Sequence, residues 1–220
     1  MGYPRLLEPI RRAMNCILLL QQGSPQPGWS WQFTTDLQPT GARTYEPDGL
    51  YSGATFSCAN LLMDYFEYTG ETKFLARVHE AIKFLESIQL PAEMHKFYSR
   101  TLQPNQKLYP SCVEKGTSKP VYVHRRGSNS SSGEYYADYN PEKQWMPSFS
   151  MSVLNPEQLW ERYNRLTKIS PADASKDSPL KTKKGTGLPQ YFSGNLRYIG
   201  PEEVKNILEA LETKPYWEGI

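Results

Sequence analysis

Apolar residues recur at helical spacing in several parts of the chain. The first such segment, residues 4–22, places its apolar side chains on one face of a helix; they are Leu6, Ile10, Met14 and Ile17. Residues 52–69 and 73–89 show the same period, and the short Thr-Gly-Glu-Thr join between them predicts an antiparallel pair of helices. Gly70 ends the second helix as a residue free to adopt positive φ, and Thr72 is the predicted cap of the third.

Two more helices are predicted towards the end of the chain. Asn155 begins an Asn-Pro-Glu-Gln sequence, which supplies an N-cap, a first-turn proline and a capping-box partner for a helix that runs to about residue 168. Residues 176–189 are rich in lysine and predict an exposed basic linker. Pro201 opens the last predicted helix, and we assign residues 190–220 to the same domain as the rest.

Residues 91–150 contain prolines, glycines and tyrosines and show little helical period. Residues 121–126 (VYVHRR) and 134–139 (EYYADY) alternate as strands do, and the Gly-Ser-Asn-Ser-Ser-Ser-Gly stretch between them predicts a turn. The expected fold is therefore mainly α: an (α/α) toroid, or an incomplete part of one, in residues 1–175, with a small β-hairpin insertion near 119–140.

Composition narrows the class of protein. The chain has 220 residues, of which 38% are hydrophobic, so it fits one domain or part of a larger one. A net charge of +2 gives no reason to expect nucleic acid as a partner, and no apolar run reaches membrane-spanning length. Cys16 and Cys58 fall on apolar helical faces, which predicts buried thiols rather than metal ligands or disulfides.

Residues 28–50 combine aromatic and charged side chains between two helical segments. Trp29 and Trp31 are two residues apart, and we expect one indole to pack on a helix while the other stacks on a sugar ring. Arg43 and Glu46 add a cation and a carboxylate three residues apart. This mixture suits an acidic carbohydrate, although Arg43 and Glu46 forming a salt bridge is the simpler alternative.

The first strand of the predicted hairpin carries a second set of candidates. Strand alternation sends His124 and Arg126 to one face and Arg125 to the other. The partner strand offers Tyr135 and Asp138. A face with histidine, arginine and tyrosine can hold a carboxylate and move a proton, whereas the structural alternative is an arginine that pairs with Asp138.

Three motifs in a fixed order resemble a known family. They are Gly-Trp-x-x-Gln ending at Gln32, the Ala-Arg-Thr-Tyr-Glu-Pro run at 42–47, and Lys-Pro-Val-Tyr-Val-His-Arg-Arg-Gly at 119–127. Across about two thirds of its length the chain resembles the family 10 polysaccharide lyases, the pectic acid lyases. The resemblance implies an (α/α) toroid that cleaves polygalacturonate by β-elimination, uses calcium and employs an arginine as base. It also implies a secreted or periplasmic protein, which we expect to be a monomer.

The resemblance and the residue chemistry together give the candidate site. The predicted catalytic residues are Arg126, His124 and Arg43. The predicted substrate-binding residues are Arg125, Glu46, Trp29, Gln32 and Tyr135. Asp36 is the predicted calcium ligand; it lies close to Thr34, which stands where the family usually has an aspartate. The family's aspartate-rich N-terminal half has no counterpart here, so we expect a partial domain with exposed apolar surface on helix 4–22.

Two other functions remain open from the sequence. One is a non-catalytic protein that binds acidic carbohydrate on the same fold. The other is a glycoside hydrolase, which needs two carboxylates across one cleft, and Glu46 with Asp138 is the pair that the sequence offers.

Overall fold

A computed structural model describes residues 4–98, 100–103, 106–127, 134–142, 144 and 150–178, with the backbone alone described for 4–7. The predicted hairpin turn after Gly127, all but the first three residues of the basic linker, and the predicted helix from Pro201 lie outside these residues.

Five α-helices and two short 3-10 helices occur in the described ranges. The α-helices are α1 Pro4–Leu19, α2 Ser52–Thr69, α3 Val78–Ser87, α4 Pro156–Leu166 and α5 Pro171–Ala174. The 3-10 helices are Thr72–Phe74 and Ala92–Phe97.

The helix predictions are confirmed where a residue next to the helix end, such as Gly70, determines where the helix stops. Helix α2 has the predicted bounds, and Gly70 ends it at φ 73° with its N–H donating to the carbonyl of Phe66. The prediction that Thr72 caps the third helix is wrong. Thr72 begins a 3-10 helix instead, because the amides of Phe74 and Leu75 donate to carbonyls three residues back, and α3 begins later at Val78.

Eight short strands form three antiparallel sheets. The strands are β1 Gln32–Phe33, β2 Pro39–Thr40, β3 Gly49–Tyr51, β4 Lys107–Pro110, β5 Cys112–Glu114, β6 Pro120–Arg126, β7 Glu134–Asp138 and β8 Met151–Leu154. The largest sheet has the order β3-β5-β6-β7, while β1 pairs with β2 and β4 with β8. The predicted hairpin is confirmed as β6 and β7, with Arg125 opposite Tyr135 and His124 opposite Tyr136.

The predicted fold class is wrong. Helices make up 42% of the described residues and strands 19%, with three antiparallel sheets, so the chain is a mixed α and β protein and not a mainly α toroid. The physical reason lies in the length of the missed strands. Strands of two to four residues, such as β1, β3 and β5, are too short to show a period along the sequence, and they exist only because partner strands complete their hydrogen bonds.

The main core brings together buried residues of helices α1 to α4 and of strands β3, β4 and β5. Helix α2 packs against α1, α3, α4 and α5. The largest fully buried side chains are Trp29, Tyr109, Phe66, Phe74, Leu50, Leu62, Met63, Ile82, Leu85, Leu108, Met151 and Leu159. An ion-pair cluster joins α2 to α4, where Arg162 contacts both Asp64 and Glu67. Burial alone would lower the pKa of Arg162, and these two carboxylates outweigh that effect and raise it.

Helix α1 is attached to this core along one side only. Met14 is buried, whereas Ile10 and Leu19 are exposed to 36% and 69%. On the predicted apolar face Met14 is buried and Ile17 packs against the core, so the predicted exposed apolar surface is limited to Ile10 among the described side chains of that face. Cys16 is exposed, so the prediction of a buried thiol is wrong there, and Cys58 is partly buried. None of the helices in the described ranges is long and apolar enough to cross a bilayer.

Candidate functional site

A tight turn between β2 and β3 carries the predicted cation and carboxylate. The backbone N–H of Glu46 donates to the carbonyl of Arg43 over 2.9 Å, so the four residues Arg43–Glu46 form a turn. The side-chain carboxylate of Glu46 folds back over this turn. One oxygen accepts hydrogen bonds from the backbone N–H groups of Ala42 and Arg43, at 3.2 and 3.0 Å, and the other accepts one from Arg43 Nη1 at 2.6 Å.

The two members of this ion pair differ sharply in exposure. The side chain of Arg43 is 61% exposed and that of Glu46 only 6%. The sequence placed Glu46 among the substrate-binding residues, but a buried carboxylate with both oxygens hydrogen bonded is poorly placed to contact a sugar. Arg43 can use its remaining N–H donors, because a guanidinium has five and Glu46 takes only one of them.

Close packing fixes the turn on the sheet. A Cβ atom on Gly41 would lie 2.2 Å from the carbonyl oxygen of Glu46, so only glycine fits there. Lys115, which follows β5, donates to Asp48 Oδ2 at 2.7 Å and to the carbonyl of Pro39 at 3.2 Å. These contacts connect both ends of the loop to the large sheet.

A pocket of about 290 Å³ opens beside this turn, and its lining residues are Trp31, Gln32, Arg43 and Glu46. The side chain of Trp31 is 53% exposed, and its ring centroid lies 6.4 Å from that of Tyr51, which is buried under it. The pocket therefore combines an accessible indole, an amide and a guanidinium. The flat apolar indole can pack on a sugar ring, and the neighbouring cation can bind the carboxylate of an acidic sugar.

The groups under the pocket are neutral. Burial raises the pKa of Tyr51 far above the usual tyrosine range, and the Tyr51 hydroxyl donates to the carbonyl of Pro47 at 2.9 Å. Burial likewise raises the pKa of the neighbouring Cys112 thiol to about 12. Arg43 is therefore the accessible charge of the pocket, above an uncharged floor.

One face of the β6–β7 hairpin adjoins the turn. Tyr45, the third residue of the turn, makes an edge-to-face contact with Tyr135 at a centroid distance of 5.6 Å. Arg125 lies over the ring of Tyr135 and donates from Nη1 to its hydroxyl at 2.7 Å. The candidates Arg43, Arg125 and Tyr135 are thus linked through Tyr45. Sequence analysis missed Tyr45 although it lies inside the quoted motif.

The other face of the hairpin holds the remaining predicted residues. His124 is 4% exposed, stacks on Tyr136 at 5.0 Å, and places Nε2 2.8 Å from Asp138 Oδ1. Arg126 is exposed, and its guanidinium carbon lies 4.4 Å from the centroid of the Tyr136 ring. Because alternate residues of a strand point to opposite faces, His124 and Arg126 do not share the pocket with Arg43.

Two further predictions do not fit the observed positions. Trp29 is 1% exposed, so it cannot stack on a sugar; Trp31 is the accessible indole. The indole N–H of Trp29 donates to the carbonyl of Ile17 at 2.8 Å, a last-turn carbonyl of α1 that the helix itself leaves without a donor. Glu46 and Asp138 are on different sides of the hairpin, so the nominated hydrolase pair does not flank one cleft.

The calcium site implied by the resemblance stays a prediction. Asp36 is exposed in the loop between β1 and β2, and Asp48 is paired with Lys115. Across the described ranges, no three or more histidine, cysteine, aspartate or glutamate side chains come together in a way that could hold a metal ion. A calcium ion takes six to eight oxygen ligands, which include backbone carbonyls and water as well as carboxylates, and we derive no chemical step through it.

No protein family model matches the chain, and no curated protein is significantly similar to it in sequence. The resemblance to the pectic acid lyases therefore stays a prediction, and the argument for function depends on the pocket and the hairpin face beside it.

Proposed function

We propose that the protein binds an acidic polysaccharide, with pectate as the first candidate, and cleaves it by β-elimination. The observation that carries the proposal is the pocket in which the accessible indole of Trp31 lies beside the fixed, exposed guanidinium of Arg43. An indole face binds the apolar face of a sugar ring, and a guanidinium binds the carboxylate of a uronate.

In this proposal Arg43 holds the carboxylate of the uronate that reacts. β-Elimination transfers the C5 proton next to that carboxylate to a base, which for an arginine must be its neutral form. The electron pair left behind forms the C4–C5 double bond as the C4–O bond breaks, and the departing glycosidic oxygen takes up a proton from water. Negative charge grows on the carboxylate as the proton leaves. A guanidinium held in place before the reaction stabilises that charge more than it stabilises the bound substrate.

The base assigned to an arginine by the resemblance is Arg125 in this proposal. Arg125 shares the hairpin face of Tyr135, which contacts Tyr45 of the turn, whereas Arg126 points to the other face. The sequence had favoured Arg126, so the two adjacent arginines make a matched pair for testing.

The test is ultraviolet absorbance of polygalacturonate treated with the protein, with and without added calcium, since elimination creates a conjugated, unsaturated uronide. Loss of one charge-stabilising donor typically costs about 10²–10³ in turnover. We expect that loss for Arg43→Ala and Arg125→Ala but not for Arg126→Ala. Arg12→Ala, which removes the same positive charge from an exposed ion pair with Glu8, is the control for charge alone. If Arg126→Ala were the one variant to lose activity, the base would have to lie on the hairpin face that carries His124.

A protein that binds acidic carbohydrate without cleaving it is the second candidate. It is favoured by one observation: among the described residues that line the pocket, Glu46 is the one carboxylate, and both of its oxygens already accept hydrogen bonds from Ala42 and Arg43. The same incubation separates the candidates. A binding protein gives no absorbance and no reducing ends, a lyase gives both, and a hydrolase gives reducing ends without the absorbance.

We further propose that the protein is secreted or periplasmic, as its proposed substrate suggests, and that it is a monomer. We also propose that it has no nucleic-acid partner. The near-neutral charge of the chain is what supports the last point.

A further inference from the structure

We infer that Glu46 is a positioning residue: it fixes the Arg43 guanidinium at the mouth of the pocket and makes no contact with the ligand itself. This inference deepens the proposed function, because it states how the pocket recognises a carboxylate.

The hydrogen bonds of Glu46 carry the inference. Its carboxylate joins two backbone amides, those of Ala42 and Arg43, to the side chain of Arg43. The backbone and the guanidinium of the same residue are therefore bonded to one rigid group. A free arginine side chain has several rotatable bonds and loses conformational entropy when it binds a ligand. Part of that cost is met during folding here, which is the usual basis of preorganisation.

The burial of Glu46 indicates why this is its role. Its side chain is 6% exposed, and three donors satisfy its two oxygens. A buried carboxylate without such donors would be costly, and the three donors offset that cost here. The exposed part of the ion pair is Arg43 alone, so an approaching anion meets the cation first.

Electrostatics alone would predict the opposite effect of Glu46. Glu46 carries a negative charge beside the pocket, and removing that charge makes the pocket more positive. If Glu46 acted only through its charge, Glu46→Gln would strengthen the binding of an acidic ligand. If Glu46 positions Arg43, the same variant weakens binding despite the gain in positive charge. The sign of the change therefore separates the two roles.

The experiment measures binding of a short oligogalacturonate by calorimetry to the wild type, Glu46→Gln, Arg43→Ala and the double variant. We expect Glu46→Gln to weaken binding about tenfold, and to change little when Arg43 is already alanine, because residues that act through one another are not additive. Glu8→Gln, which removes an exposed carboxylate from an ion pair, should leave binding unchanged. Stronger binding by Glu46→Gln, or losses that add in the double variant, would overturn the inference.

A second measurement needs no ligand. Nuclear magnetic resonance of the wild type should show slow rotation of the Arg43 guanidinium and slow hydrogen exchange of the Ala42 and Arg43 amides. Fast rotation and fast exchange would overturn the inference even if Glu46→Gln failed to fold. A wild type that binds no oligogalacturonate would refute the proposed function, and these spectra would still decide the role of Glu46.

Discussion

Trp29 and Trp31 are two residues apart and lie in two different regions of the molecule. Trp29 is 1% exposed in the helical core, where its indole N–H donates to the carbonyl of Ile17. Trp31 is 53% exposed at the pocket, against Tyr51. The core region is held by many apolar contacts, and the pocket region by a few hydrogen bonds around one turn. The same residue type is therefore buried in the core in one region and exposed at the proposed ligand site in the other.

The largest expected effect is on the core side. Trp29→Ala should lower the free energy of unfolding by about 3–5 kcal/mol, because it leaves a large cavity and an unpaired carbonyl on Ile17. Urea denaturation followed by circular dichroism measures this. Trp29→Phe should cost less, since it keeps most of the buried volume. A loss below about 1 kcal/mol for the alanine variant would mean that the two regions do not differ as described.

The reactivity of the three cysteine thiols tests the same difference between buried and exposed positions. Burial raises the pKa of Cys58 to about 11 and that of Cys112 to about 12, whereas Cys16 is exposed. The thiolate is the reactive form, so we expect alkylation at mildly alkaline pH to modify Cys16 first and the other two at least about 100-fold more slowly. Mass spectrometry of digested samples over time gives the order. Rapid labelling of Cys112 would show that the sheet beneath the pocket opens.

On the pocket side, Trp31→Ala should change binding more than folding. We expect the free energy of unfolding to shift by no more than about 0.5 kcal/mol, as is usual for exposed positions. Affinity for oligogalacturonate should fall about tenfold, a free energy of about 1.4 kcal/mol. Turnover should fall less, because stacking holds substrate and transition state about equally. Unchanged affinity would remove Trp31 from the site.

The smallest expected change in stability concerns the ion pair between Lys107 and Glu157, which lies on the surface of the core region. The hydrogen bond from Lys107 holds the pKa of Glu157 below its usual range. A carboxyl whose pKa is lowered by folding contributes stability above its unfolded pKa, about 4.3, and that stability is lost as pH falls through the folded value. Because both side chains are 41–51% exposed, the contribution should stay below about 1 kcal/mol.

The measurement is the difference in free energy of unfolding between the wild type and Lys107→Met across acidic pH. The difference should be greatest near neutral pH and should vanish in acid. A difference that grew as the pH fell would contradict the direction given for Glu157.

Much of the helical half follows from the sequence. Helix α2 has the predicted bounds because its apolar period, its length and Gly70 all act within a few residues of one another. The β6–β7 hairpin was predictable for the same reason, since both strands are long enough to alternate. The pairing of Arg43 with Glu46 followed from their spacing, although which of the two would be buried did not.

The tertiary structure decided the rest. Strands β3 and β5 pair with each other from distant parts of the chain, and β1 is too short to show a period, so without these strands the fold appeared mainly α. The sequence predicted that one indole packs on a helix while the other is accessible. Which of the two is buried depends on where α1 and α2 pack, and only the tertiary structure settles that. The same holds for Arg125 and Arg126. Alternation separates them onto two faces, and the contact of Tyr45 with Tyr135 determines which face adjoins the pocket.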